Sequence, residues 1–328
     1  MQQGDTEKSK RQLVMTIMAL AAVYVIWGST YLAIKYAIET LPTFLMAGTR
    51  FTIAGAVMFA WARFTKDYEK PKLQHWRTSF IVGGLLLLCG NGFVVLAERY
   101  ISSSLAALLI ATEPFWIVLM SWLVLKGERP SWKVALGLLL GFVGVSLLIG
   151  GNGFASENGQ LTGALLVVTA TFAWGAGSLY GLRAPTPKSA LQTAGMQMLA
   201  GGLLLLLVGT VLGEWSQFNP GEVSTNSLLG LAYLIVFGSI IAFTSYSWLL
   251  KNVEPSLAST YAYVNPAIAV FLGWAIGGES LAAQMLVGAA IIVGSVVLIT
   301  SQSKQSPQAE SAAAESNAAP ENCETASA

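Results

Sequence analysis

Charge is what this chain has least of. Asp, Glu, Lys and Arg make up 11% of its 328 residues while 54% are hydrophobic, against about 25% charged in soluble domains. A soluble core cannot absorb that much apolar surface, so the chain reads as an all-α polytopic membrane protein whose first partner is the lipid bilayer. A net charge of +1, with Lys and Arg scattered, leaves no footprint for nucleic acid. There is a single histidine, His75, in a predicted connection where a solvated role is the default. The two cysteines, Cys89 in an apolar run and Cys323 near the C-terminus, form no disulfide framework and no Cys–His cluster for zinc. HExxH and Walker A patterns are missing, as is any nucleophile with a base at a recognisable spacing. The chain is therefore not expected to be an enzyme, and neither a metal nor another cofactor is expected.

At about 20 apolar residues per crossing, helices are predicted near 13–35, 43–64, 78–97, 103–125 and 132–149, and again near 161–182, 189–212, 227–250, 256–276 and 281–300. The first run is long enough to span and lacks a small-residue cleavage site, so it reads as a retained helix rather than a signal peptide. The division that follows is an N-terminal arm (1–12), a first group of five helices (13–150), a Gly- and Asn-rich linker (151–160), a second group of five (161–300) and a polar tail (301–328), expected to be disordered. With the N-terminus inside, fifteen Lys and Arg fall in cytoplasmic segments and two, Lys35 and Arg99, on the other side, while Arg50 lies within a helix. That asymmetry predicts cytoplasmic termini.

The two groups are copies. At a shift of 147, Trp27-Gly28 meets Trp174-Gly175 and Ala47-Gly48 meets Ala194-Gly195; at 148, Gly90 meets Gly238; at 151, Glu128 meets Glu279; at 152, Leu105, Ala106, Pro114 and Trp122 meet Leu257, Ala258, Pro266 and Trp274. Five crossings is an odd number, so the second copy enters the membrane from the opposite face. This predicts ten transmembrane helices arranged as two inverted five-helix repeats.

Polar residues inside these runs are the candidates for function. Glu113 lies ten residues after Ser103, roughly 15 Å into a hydrocarbon core about 30 Å thick. Holding it ionised there costs about 2.5–3.5 kcal/mol. It is a candidate proton carrier or ligand for a cationic group; the bland alternative is a neutral or paired residue filling the gap left by Pro114. Its repeat partner is Asn265 before Pro266, so only one copy can change charge. Arg50 is a possible charge partner of Glu113, an anion contact, or a structural pair. Its counterpart, Gln197, is neutral. Tyr261 and Tyr263 offer rings and hydroxyls to organic cargo, or interhelical hydrogen bonds. Asn91, between Gly90 and Gly92, is either a substrate contact or part of a close helix crossing. Trp27-Gly28-Ser29 and Trp174-Gly175 read first as packing or gating, and Trp61, Trp76 and Trp132 as interfacial anchors.

The words IWGSTYLAIK from Ile26, MAGTRF from Met46, GNG from Gly90 with Glu98 after it, ATEP from Ala111, KGE ending at Glu128, FGSIIAF from Phe237, YAYVNP from Tyr261 and GGE ending at Glu279 together resemble the EamA family of the drug/metabolite transporter superfamily, most of all its YedA-type bacterial inner-membrane subgroup. The resemblance covers about residues 13–300. It implies a cavity lined by the third, fourth, eighth and ninth helices, with the fifth and tenth peripheral, in a multi-pass cell-membrane protein. The expected function is a secondary transporter, read as an exporter, of a small organic metabolite such as an amino acid. It would work by alternating access around Asn91, Glu113, Tyr261, Tyr263 and Asn265, with Glu113 as the proton-coupling group. An uncoupled facilitator would need no titrating group, and a sensor or scaffold would tolerate loss of the midplane polarity. Cargo identity, direction and a homodimer are left open by the sequence.

Overall fold

The computed structural model describes residues 2–124, 129–150, 159–253, 261–281 and 283–302; the linker and tail segments singled out above lie almost wholly outside them. Every regular element among the described residues is helical. In chain order these are α1 (Gln2–Ala37), α2 (Thr43–Ala62), α3 (Leu73–Ala97), α4 (Ser103–Leu123), α5 (Trp132–Gly150), α6 (Gln160–Arg183), α7 (Ala190–Val211), α8 (Thr225–Leu249), α9 (Tyr261–Ala275) and α10 (Ala283–Gln302). Seven of them, α1 to α4 and α6 to α8, are long and apolar enough to cross a membrane; Trp132–Leu147, Val264–Ala275 and Met285–Leu298 are shorter apolar helices.

Helix starts follow from side chains that accept the first free N–H groups. Ser102, Ser189 and Ser224 accept from the amides of Leu105, Gln192 and Ser227. α3 begins at Leu73, five residues earlier than the apolar run predicts. His75 explains the extension: it lies inside the first turn, buried, with Nδ1 accepting the Lys72 amide at 3.4 Å. It is therefore part of a helix start, not a solvated loop residue.

The helix pair at the centre of the molecule is α2 with α7, and glycines let their backbones touch. A Cβ added to Gly55 would lie 2.5 Å from the amide nitrogen of Leu199, and one on Gly202 would lie 2.6 Å from that of Thr52. Likewise a Cβ on Gly48 would meet Leu206, and one on Gly195 would meet Phe59. Each of these contacts has its mirror image 147 residues away: Gly48 answers to Gly195, Thr52 to Leu199, Gly55 to Gly202, Phe59 to Leu206. Residue i touching j while j's counterpart touches i's counterpart is the mark of a two-fold relation. Because the pairing runs antiparallel, that axis lies perpendicular to the helices.

The same relation recurs at the ends of this pair. Glu214, just past α7, accepts from the amides of Phe44 and Leu45 at the start of α2 at 2.9–3.1 Å. Glu69, past α2, accepts from the amide of Lys188 just before α7 at 3.0 Å. Each helix thus has its N-terminus met by a carboxylate from beyond the C-terminus of the other, where the helix dipole favours negative charge.

α3 and α8 both widen into π-helical stretches, Gly84–Asn91 and Leu234–Ile241, 150 positions apart at both ends. α5 and α10 pack on each other, with Gly144 against Ile292 and the Gly288 carbonyl. A further face of α5 receives the Phe115 ring at Gly141.

Candidate functional site

Pro114 has no N–H to give the Ile110 carbonyl, and α4 breaks there. It runs Ser103–Ile110, turns through Ala111 and Thr112, and restarts at Glu113. Thr112 closes the break by donating its hydroxyl and its amide to the Leu109 carbonyl at 2.7 and 3.1 Å. Glu113 therefore sits at the N-terminus of a half-helix in the middle of a span. Its side chain is half-buried and makes no hydrogen bond or ion pair among the described residues. The carboxyl is close enough to the hydroxyls of Tyr31, Tyr246 and Tyr261 to act on them electrostatically.

Those groups arrive from three other helices. Trp27 and Tyr31 come from α1, Tyr246 from α8 and Tyr261 from the start of α9. The rings of Trp27, Tyr246 and Tyr261 touch pairwise, with centroids 5.1–5.4 Å apart and tilted to edge-on geometry. Trp27 is held by its indole N–H, which donates to the Gly238 carbonyl inside the π-helical stretch of α8 at 3.1 Å. Its repeat counterpart, Trp174, lies against Gly90 in the π-helical stretch of α3. The Trp-Gly words of the two halves are thus symmetric contacts between the first helix of one repeat and the third helix of the other.

Asn265 is drawn away from the carboxyl. With its amide oriented to satisfy both partners, the nitrogen donates to the carbonyls of Tyr24 on α1 and Tyr261 on its own helix, each at 3.2 Å. α9 runs unbroken through Pro266, whereas α4 breaks at Pro114. Arg50 is buried at 5% exposure. Its Nε donates to Ser239 Oγ on α8 at 2.9 Å and its guanidinium lies 4.6 Å from the Phe51 ring centre, while Nη1 is buried without a partner. Among the described residues no carboxylate, Glu113 included, lies within ion-pairing distance of it, and Lys35–Glu279, at 3.3 Å, is the one ion pair. Asn91 closes the π-helical stretch of α3, its Oδ1 buried and unpartnered. The Tyr263 side chain lies outside the described residues.

At one end of this site the structure is tied shut. Glu279, in the α9–α10 connection, accepts from the amides of Ser103 and Ser104 at 3.0 and 3.1 Å, from Ser103 Oγ at 2.7 Å and from the Ser104 hydroxyl. Lys35 at the end of α1 donates to Glu279 Oε1 at 3.3 Å and to the Gly277 carbonyl at 2.7 Å. Gly278, at φ 67°, makes the left-handed turn that brings Glu279 back onto α4. Burial alone would raise the Glu279 carboxyl, but the hydrogen bonds from Ser104 and Ser103 outweigh it and hold the group below the usual carboxylate range.

A groove of about 700 Å³ lies elsewhere, between α1 and α8, lined by Ser29, Leu32, Tyr36, Leu229, Tyr233 and Phe237 among others. It is the weaker candidate. It is mainly apolar, and its Ser29 and Tyr233 hydroxyls already bond to each other at 2.7 Å.

Two stretches of the chain, residues 14–150 and 161–301, each match the EamA-like transporter family. The chain is a member of that family. It is 37% identical over 292 residues to a protein of Escherichia coli K12 described as the uncharacterized inner membrane transporter YedA, covering 88% of this chain and 92% of that one. It is 26% identical over 275 residues to the S-adenosylmethionine/S-adenosylhomocysteine transporter of Chlamydia muridarum, covering 82% and 86%. A solved crystal structure superimposes with a TM-score of 0.60 at 23% identity, over 88% of this chain and 98% of its own, a likeness of fold.

The duplicated family match and the symmetric helix contacts describe the same repeat. Sequence reading of this EamA-family protein passed over three features of its site. Tyr246 lies outside the quoted words, Tyr31 sits inside IWGSTYLAIK without being singled out by it, and both come near Glu113 only through helix packing. Trp27 reads from the sequence as packing or gating, and its contacts with two tyrosines require three helices in place. The tie at Glu279 had one signal, the repeated Gly-x-Glu endings at Glu128 and Glu279, and what Glu279 accepts from is decided by the fold.

Proposed function

We propose that this protein is a secondary transporter of a small organic metabolite, an amino acid or related compound, working by alternating access with Glu113 as its proton carrier. The observation that carries the reading is a carboxyl without a partner among the described residues, at a helix break in mid-span and within electrostatic reach of tyrosines from both repeats. A group of this kind can be charged or neutral at modest cost, which a proton carrier requires. The repeats supply the motion: two halves related by a two-fold axis exchange conformations when they rock about the α2–α7 contact. In this reading α5, α9 and α10 join the other seven helices as crossings, ten in all. Both termini lie in the cytoplasm, in line with the Lys and Arg distribution, and the membrane is the bacterial inner membrane, as the name of the E. coli relative suggests. The tie at Glu279 then closes the outer end of the pathway.

The test is flux in liposomes. Purified protein is supplied with a panel of labelled amino acids and, because of the chlamydial relative's name, S-adenosylmethionine. We expect an imposed pH gradient to drive accumulation of at least one probe without ATP and without chemical conversion. Glu113→Gln should abolish the pH-driven component while leaving exchange of that probe across the membrane. Undiminished pH-driven accumulation in Glu113→Gln would end the proton-carrier role.

A further inference from the structure

Glu98 is a buried carboxyl with no partner among the described residues, and the reading above leaves it unused. It caps the C-terminus of α3, one residue past the span. It is 9% exposed, and both of its carboxyl oxygens are buried with no hydrogen-bond partner. Leaving even one buried polar group unsatisfied costs about 1–3 kcal/mol, more when it is charged, so an ionised Glu98 in this setting is strongly disfavoured.

The neighbours explain why it has no partner. Glu279 and Lys35 are the charged groups acting on Glu98, and Tyr31 is the titratable group that feels it in turn. The Glu279 carboxylate is held ionised by four donors from Ser103 and Ser104 and repels a second anion. Lys35, the cation that could neutralise Glu98, is engaged by Glu279 and the Gly277 carbonyl. Arg99, next in sequence, is turned away, its Nε donating to Thr43 at 2.8 Å. Tyr31 lies within electrostatic reach of both Glu98 and Glu113.

We propose that Glu98 is a second proton-binding site, in series with Glu113, which competes with Glu279 for Lys35 and so links its own protonation to closure of this end of the protein. With Glu98 protonated, Lys35 stays on Glu279 and α4 is tied to the α9–α10 connection. When Glu98 loses its proton to water, the new carboxylate draws Lys35 across, Glu279 loses its cation, and the tie loosens. The proton goes to bulk water at this end. Both carboxyls act on Tyr31, which puts the two within reach of one side chain. Burial and then the Glu279 charge push the Glu98 carboxyl well above the usual carboxylate range, with Lys35 pulling it partly back, in keeping with this exchange. The link to transport rests on the function proposed above; the protonation and the tie do not.

Infrared difference spectra of the full-length protein in lipid bilayers, recorded across pH steps, read the protonated carboxyl directly and need no cargo. We expect a protonated-carboxyl band that Glu98→Gln removes and Glu113→Gln does not. Glu279→Gln should move its titration down and Lys35→Met should move it up, each by about one pH unit or more, as expected for loss of a neighbouring charge. In parallel, hydrogen exchange at the Ser103 and Ser104 amides, corrected for intrinsic rate, should show protection falling as Glu98 ionises in the wild type and no such fall in Glu98→Gln. A band unchanged by Glu98→Gln, or a titration unmoved by both Glu279→Gln and Lys35→Met, would overturn the proposal. So would an identical pH dependence of protection in wild type and Glu98→Gln. If Glu98→Gln fails to fold, Glu98→Asp serves instead, with a shifted band expected and an unshifted one counting against. Should the bands behave as expected while no probe is ever transported, the transport reading alone fails.

Discussion

At the scale of single residues, the two members of the polar–Pro pair have separate tasks. Glu113 keeps an open carboxyl, while Asn265 spends its amide on two backbone carbonyls. Asn265→Leu would remove both of these bonds, so we expect a loss of stability of about 1–3 kcal/mol, read as a lower melting temperature. Glu279 carries a pH dependence of its own. Its carboxyl is held below the ordinary value of 4.5, so its own ionisation, which the tie needs, is complete above that value and is lost as pH falls through the depressed one. Hydrogen exchange at Ser103 and Ser104 should therefore accelerate at acid pH in the wild type. Glu279→Gln should show weak protection at every pH, with a stability loss on the order of 2 kcal/mol for the missing charge-assisted bonds. Polarity in mid-span was legible in the sequence for both Glu113 and Asn265. Which of them stays free was not, since Tyr24 lies 241 positions from Asn265.

At the scale of elements, the same dipeptide pattern has two outcomes. Pro114 breaks α4, whereas α9 continues through Pro266. Pro114→Ala restores the missing N–H and allows α4 to run straight, which would turn Glu113 away from the tyrosines. We expect a folded protein with flux reduced tenfold or more, a change of about 1.4 kcal/mol or above in barrier. Pro266→Ala should alter flux far less, because no break is there to be closed. A liposome assay of the two variants side by side decides it. The glycines of α2 and α7 act at this scale too. Gly55→Leu would drive a side chain into the Leu199 backbone, and we expect a destabilisation of 1–3 kcal/mol or more from overpacking, seen as loss of folded protein after detergent extraction. The π-helical stretches of α3 and α8 had no signal in apolar runs that read as ordinary helix. Their matching positions become visible only when both halves are folded.

At the scale of the whole molecule, the repeats provide a fixed contact and a breakable one. At the pivot there is no room for an added side chain: a Cβ on Gly195 would lie 2.6 Å from the Phe59 amide nitrogen. At the Glu279 end, Ser104 and Gly273 face each other. In a background without Cys89 and Cys323, a disulfide between Ser104→Cys and Gly273→Cys should form and stop transport. Reduction should restore flux. Undiminished flux in the oxidised protein would show that this end does not open during transport.

What the sequence determined by itself was the solvent and the symmetry. An apolar content this high with so few charges demands a bilayer, and repeated words at a near-constant shift demand two copies of one unit, because both facts are properties of the chain read one position at a time. What only the tertiary structure decided was who meets whom. The tyrosines within electrostatic reach of Glu113, the bond from Arg50 to Ser239, and the meeting of Glu98, Lys35 and Glu279 are made by residues far apart in the chain. Hydrogen-bond satisfaction inside an apolar medium is settled by such neighbours, and neighbours exist only once the helices have packed.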